Sequence, residues 1–404
     1  MPGKPLIDRR QERRPTLSIR WTVFGAFALM ALAGGSVSVM LGYTLTSDAV
    51  IGEAQRRVEQ DLRSAWALFD RQVDNVRHTA RFVSILRRSH DVLAGEAGEN
   101  EVEDLRKRLE SIRQRSGLDW LTLVGTDGRV VMRTRPPYAA GDELVPDPVR
   151  LGALAQGSAS GTVRLSAAAL SAEGPDLADQ AAIDVRPTPM ASSMVERRET
   201  DGLAIEAAEA VLDDDGRPLG RVVGGILLNR DRAIPDAIRD TVFRNEFLQG
   251  RPIGTATIFM NDVRIATNVL GEDGSRAIGT RVSKAVEEVV LGQGLPYRDR
   301  AFVVSDWYLT AYDPVRDPDG NVVGILYVGL LEAKFLGYRT RLIQSFVAMT
   351  AIGMVLALLF AGAIAWWLSR PIKRLIDASR RMAALDRKVD RKSTRLNSSH
   401  GKLS

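Results

Sequence analysis

The residues best equipped for chemistry lie on one short stretch. In residues 307–312 (WYLTAY), strand alternation places Tyr308, Thr310 and Tyr312 on one face and Trp307, Leu309 and Ala311 on the other. Three hydroxyls in a row suit a small polar ligand, with Trp307 as a wall or a buried support. Tyr297, Arg298 and Arg300 come just before this stretch, and Arg281 lies further upstream. A guanidinium suits a carboxylate because its planar fork donates two parallel hydrogen bonds. Earlier in the chain, Arg133, Arg135, Tyr138 and Arg186 form an analogous set. Arg264 and Asn268 share a strand face and would serve a neighbouring turn equally well. Solvated surface and cross-strand packing use the same residue types.

Catalysis finds less support. The histidines are His78, His90 and His400, cysteine is absent, and neither a metal-ligand spacing, a G-x-S-x-G elbow nor a phosphate-cradling glycine loop is present. No catalytic residue, metal or cofactor is expected. Without cysteine there is no disulfide framework, so any core holds by packing alone.

The stretch needs a sheet to carry it. Residues 301–331 read as two long strands joined by the turn Asp317-Pro318-Asp319-Gly320, the second strand apolar on both faces like a buried central strand. Upstream, Ile51, Ala54, Val58, Leu62, Ala65, Phe69, Val73, Val76, Ala80 and Val83 recur every three or four residues, which predicts one long helix with a single sticky stripe. A charged helix over 102–115 follows, then strands over 118–125 and 130–133 about the turn 126–129, a short helix over 149–155 and a strand over 161–165. Residues 171–200 read as an extended loop with one helical turn. Strands over 203–212 and 221–228, a helix over 235–248, a hairpin of 255–260 with 263–269, and a helix capped by Ser283 and closed by Gly292 complete the pattern.

The order of elements repeats. DDDGRPLGRVVGGILL, beginning at Asp213, parallels RDPDGNVVGILYVGLL, beginning at Arg316, and points to two copies of one antiparallel-sheet module. Outside them, residues 21–45 and 346–368 carry no charge and are each long enough to cross a bilayer as a helix. The first is too long for a cleaved signal peptide, and no clean cleavage pattern follows it. Lys4, Arg9, Arg10, Arg13, Arg14 and Arg20 precede the first span; Arg370, Lys373, Arg374, Arg380 and Arg381 follow the second. By the positive-inside rule both termini are cytoplasmic and residues 46–341 extracytoplasmic. The net charge of +5 is thus a topology signal, and no nucleic-acid partner is expected.

GTATIFMNDVRIATNV, AIGTRVS and RAFVVSDWYLTAYDPVRDPDGNVVGILYVGLLE are similar to Cache modules of sensor histidine kinases. Residues 187–189 and 221–230 fit the same group, so the external region resembles a double Cache region of bacterial transmembrane receptors. SRPIKRL, from Ser369 to Leu375, resembles the start of a HAMP linker, and DRKSTRLNSSH, from Asp390, resembles a translated sequencing adapter.

The resemblance implies an α+β fold: a long N-terminal helix, two PAS-like antiparallel-sheet Cache modules and two flanking transmembrane helices. The expected map is a basic N-terminus (1–20), a first span (21–45), a spine region (46–115), a distal module (116–231), a proximal module (232–341), a second span (342–368), a HAMP start (369–389) and an adapter-derived tail (390–404). It further implies a homodimeric receptor in the bacterial inner membrane that binds a small anionic or zwitterionic metabolite, an organic acid or amino acid. Its output would be a histidine kinase acting on a response regulator, beyond a truncation near Val389. A methyl-accepting chemotaxis receptor shares the same external half, and a membrane-anchored assembly protein is the reading from another class. No kinase, methyl-accepting or cyclase sequence is present, so whether the parent is an enzyme stays open.

Overall fold

The structure, a computed structural model, describes residues 19–397 except Met194, Glu196, Gln249 and Glu272. The basic residues Lys4 to Arg14 and the tail from 398 onward lie outside the described residues. The chain divides into two units, residues 50–337 and a second made of 1–49 with 338–404.

In the larger unit, helix α1 (Ile19–Ser84) supplies its second half, followed by α2 (Arg87–Leu93) and α3 (Glu99–Arg115). Its stripe residues from Ala54 to Val83 are buried or packed against the core, because side chains three and four apart share one helix face. The distal module contains β1 (Trp120–Gly125), β2 (Val130–Arg133), α4 (Pro148–Gln156), β3 (Ser158–Leu165), α5 (Ala167–Glu173), α6 (Pro175–Ala181), β4 (Ile183–Val185), β5 (Arg197–Glu199), β6 (Gly202–Leu212) and β7 (Pro218–Leu227). Helix α7 (Ala233–Val242) and the short pair β8 (Phe247–Leu248) and β9 (Arg251–Pro252) lead into the proximal module. That module has β10 (Gly254–Met260), β11 (Val263–Thr267), α8 (Lys284–Val286) running into a π turn (Glu287–Gly292), β12 (Tyr297–Val303), β13 (Asp306–Arg316) and β14 (Val322–Leu331). Helix α9 (Glu332–Asn397) begins at the next residue.

The internal repeat is visible in the strand orders, β2-β1-β7-β6-β3 and β11-β10-β14-β13-β12, all pairs antiparallel. One face of each sheet joins α1 in a single apolar core: Leu121, Leu123 and Ile205 from the distal sheet, Ile258, Leu309 and Leu326 from the proximal one. The other face of each sheet has its own cluster. Two polar contacts fix β13 on α1: Gln55 Nε2 donates to the Thr310 carbonyl at 2.8 Å, and Trp66 Nε1 donates to Asp313 at 2.9 Å.

Three local expectations differ from the structure. Residues 167–181 form α5 and α6, because Ser166 caps the first helix by accepting from Ala169 N and Pro175 opens the second. The helix expected over 235–248 ends at Val242, where Arg244 and Asn245 take positive φ. The long strand from 301 is two strands, β12 and β13, folded at Val304 (φ 58°), a β-branched residue that announces no turn. The turn at Gly320 (φ 89°) closes β13 on β14 as its sequence predicts.

In the second unit, α1 and α9 contain stretches long and apolar enough to cross a membrane, Phe24–Thr44 and Glu332–Trp367, the latter starting within the larger unit. They run antiparallel, with Gly42 so near Phe346 that an added Cβ would lie 2.3 Å from the ring. Helix α9 continues through Pro371, so the HAMP-like stretch is helical.

On α1, burial pushes the Asp61 carboxyl up to about 6, with Arg57 opposing, and Oδ2 has no hydrogen-bond partner among the described residues. A carboxyl whose folded pKa exceeds its unfolded one favours the fold while protonated, and that contribution disappears as pH rises through about 6. Asp61→Asn is therefore expected to add about 1 kcal/mol at neutral pH, after allowance for partial exposure, and nothing near pH 4. Urea unfolding at both pH values checks this; an equal difference at the two would contradict it.

Candidate functional site

The proximal face opposite α1 is aromatic. Alternation along β13 brings Tyr308 and Tyr312 to it, joined by Tyr327 of β14 and Phe259 of β10. Tyr312 and Tyr327 sit opposite each other in register, with ring centroids 4.7 Å apart, and Phe259 lies 6.4 Å from each. Burial pushes the Tyr308 hydroxyl up to about 12 and raises those of Tyr312 and Tyr327 as well, so all three are neutral hydrogen-bonding groups at physiological pH.

Beside these rings lies Arg264 on β11, only 3% exposed, its guanidinium carbon 5.1 Å from the Phe259 centroid. Nη1 donates to Thr280 Oγ1, while Nε has no partner and no carboxylate pairs with the group among the described residues. Burial lowers its pKa, and the groups that oppose this are the hydroxyls of Tyr327, Tyr312 and Tyr308 rather than any carboxylate. An arginine cannot shed its proton in a protein, so this is a buried cation without a counter-ion, which costs several kcal/mol. A cavity of about 180 Å³ opens on the same side, lined by Thr255, Val269, Val303 and Tyr308, with the ion pair Arg251–Asp306 at its lining. Thr255 Oγ1 lies 3.1 Å from the Tyr327 hydroxyl, linking the cavity wall to the tyrosine cluster. The cavity is smaller than the roughly 300–1,000 Å³ of a site for a drug-sized ligand, and suits a few-atom molecule.

The residues picked out from sequence separate. Tyr308 lines the cavity, while Tyr312 and Thr310 are buried beyond it on the same strand face. Thr310 Oγ1 donates to the Asp299 carbonyl. Tyr297 packs edge-on against Tyr312 at 5.8 Å. Trp307 and Arg300 turn to the opposite face: Trp307 is 41% exposed, not a buried support, with Arg300 stacked 4.4 Å over its ring. Arg300 also pairs at 3.2 Å with Glu332, the first residue of α9. Arg281 is ion-paired to Asp262 and donates to the Ser193 carbonyl. Ser283 stands at the helix start without a side-chain cap bond.

In the distal module the same sheet face is filled by the protein's own ions. The Glu206 carboxylate accepts from Arg150 Nε and Nη2 at 2.9 and 2.8 Å, and Asp147 lies 2.7 Å from the same Nε. Arg133 is committed to both oxygens of Asp142 at 2.6 and 2.7 Å, and to Glu173, which also accepts from Thr122. Tyr138 lies outside this face, under Arg106 at 4.2 Å. Arg135 donates to the Asp119 carbonyl and pairs with Asp176. Arg186 is exposed on the segment between β4 and β5.

The two copies therefore differ at matched positions. Glu206 is opposite Gly225 in the distal sheet, and Thr310 is opposite Gly329 in the proximal one. Where the distal copy carries an acid for its arginine, the proximal copy carries a hydroxyl. Sequence reasoning passed over Arg264 as a site residue; its signal is a single charge inside VRIAT, a strand buried at every position.

The family model described as single Cache domain 3 matches residues 226–341. No curated protein matches the chain. Among solved structures, the chain is similar to the periplasmic domain of Vibrio cholerae LuxQ, at 10% identity over 68% of this chain and 99% of that one, with a TM-score of 0.38. It is similar to the sensor domain of the V. cholerae histidine kinase DctB, at 11% identity over 70% and 98%, TM-score 0.39. It is likewise similar to the ligand-binding domain of the Campylobacter jejuni chemoreceptor Tlp3 in complex with L-valine, at 10% identity over 73% and 98%, TM-score 0.38. The matched residues 226–341, similar to a single Cache domain, carry Arg264 and the three tyrosines.

Proposed function

We propose that this chain is a transmembrane receptor whose proximal Cache module binds a small carboxylate, an organic acid or amino acid, through Arg264 beneath Tyr308, Tyr312 and Tyr327. The buried guanidinium without an acid partner carries the reading: a carboxylate arriving there supplies the missing counter-ion and two acceptors at once. Neutral tyrosine hydroxyls add donors that a carboxylate can use. The distal module, whose buried Arg133 and Arg150 already have carboxylate partners, serves as a second Cache copy that supports α1 rather than as the receptor site.

Signalling follows from connectivity. Strand β14 leads into α9 without an intervening residue; Arg300 of β12 pairs with Glu332 in the first turn of α9, and Lys334 pairs with Glu246, just ahead of β8. Ligand binding shifts β13 and β14 and so displaces the second membrane helix relative to the first. The HAMP-like stretch passes the displacement to a cytoplasmic output, a histidine kinase with its response regulator, in a homodimer of the inner membrane. Both termini are cytoplasmic and residues 46–341 extracytoplasmic.

Thermal unfolding of the full chain in nanodiscs, screened against short-chain organic acids and amino acids, tests the function. A true ligand at a hundred times its Kd stabilises by about 2.7 kcal/mol. Stabilisation by uncharged analogues equal to that by the acids would contradict the proposal.

A further inference from the structure

We infer that the hairpin β4–β5 of the distal module is the positioning element for Arg264, and so sets the carboxylate affinity of the proximal module. The inference rests on the reading of Arg264 as the anion anchor. It starts from residues 279–284, which link β11 to α8.

Arg264 is bound to this segment three times. Its backbone N donates to the Thr280 carbonyl at 2.8 Å, its carbonyl accepts from Gly279 N at 2.9 Å, and its Nη1 donates to Thr280 Oγ1. The hairpin holds the same segment on both sides of Thr280. Arg186 N donates to the Gly279 carbonyl at 2.8 Å, Arg281 N donates to Thr188 Oγ1 at 3.0 Å, and Lys284 N donates to the Met190 carbonyl at 2.8 Å. The approach is as close as backbone permits: a Cβ on Gly279 would sit 2.3 Å from the Asp184 carbonyl oxygen.

Two arginines sharing one carboxylate lock this contact. Asp262, buried at the β10–β11 turn, receives Arg281 from the proximal module and, at 3.1 Å, Arg197 from β5 of the distal module. Arg281 also donates to the Ser193 carbonyl of the hairpin. A guanidinium binds a carboxylate productively only when its fork is aimed, so a shift at Thr280 changes the site without touching the ligand. Each of the two residues flanking Thr280, the partner of Arg264, carries one of the hairpin's bonds.

The test uses the full chain in nanodiscs with formate as the probe carboxylate. Thr188 is buried, and Thr188→Val keeps its shape while removing the acceptor for Arg281 N. We expect amide exchange at Arg264 and Gly279 to quicken about tenfold, exchange at Ala256 and Leu326 to stay unchanged, and formate Kd to weaken about tenfold. Thr188→Ser restores the wild-type values, which a simple loss of packing would not allow. Arg197→Gln, on a side chain that is partly exposed, is expected to act in the same direction by about threefold, and decides the matter if Thr188→Val does not fold. An unchanged formate Kd in variants whose wild-type parent binds formate overturns the hairpin's role and leaves the anchor standing. A wild-type chain that binds no formate overturns both.

Discussion

Arg150→Met is expected to destabilise the chain by about 3–5 kcal/mol, the cost of leaving buried carboxylates without their cation. Glu206 is fully buried, burial pushes its carboxyl up, and the bidentate Arg150 is the main force opposing that shift. Asp147 caps α4 by accepting from Arg150 N at 2.9 Å, and it keeps that bond while losing the guanidinium. The double variant Arg150→Met, Glu206→Leu removes both charges and is expected to recover most of the loss, since apolar replacements of buried pairs are often neutral or better. Urea unfolding of the single and double variants measures the difference. A double variant as unstable as the single would mean that packing, not charge, holds this face.

Arg264→Met is expected to do the reverse. Removing a buried cation that has no acid partner should raise the stability of the ligand-free chain by about 1–3 kcal/mol. The loss of the bond to Thr280 subtracts about 1 kcal/mol from the gross gain. Carboxylate binding is expected to fall at least about a hundredfold, because a charge-assisted, forked contact has no substitute on that face. On the proposed function the cost at Arg264 serves binding, whereas Arg150 serves the fold. Thermal unfolding without ligand separates the two roles: a fall of several kcal/mol in Arg264→Met would make Arg264 structural.

Local patterns in the sequence lead directly to much of the architecture. The stripe from Ala54 to Val83, the acidic-glycine turns and the doubled order of strands are signals carried by neighbours in the chain, and each corresponds to an element described above. What alternation cannot supply is which face meets the core, or which charges meet each other. Arg300 and Tyr308 are close in sequence yet on opposite faces. Arg133 and Glu173 are 40 residues apart, and Arg150 and Glu206 are 56 apart, so Arg133 looked free when read alone. The fold at Val304 was hidden because its residue type disfavours the conformation it adopts. Arg264 was legible only as an oddity, a charge in a buried strand, and its meaning came from the structure, where no carboxylate pairs with it among the described residues.

The central claim is that Arg264 anchors a carboxylate in the proximal Cache module. Calorimetric titration of the wild-type and Arg264→Met chains, both in nanodiscs, with the acid that stabilises the wild type most, tests it directly. The account predicts saturable binding to the wild type and none to the variant. Equal affinity in the two chains would contradict it.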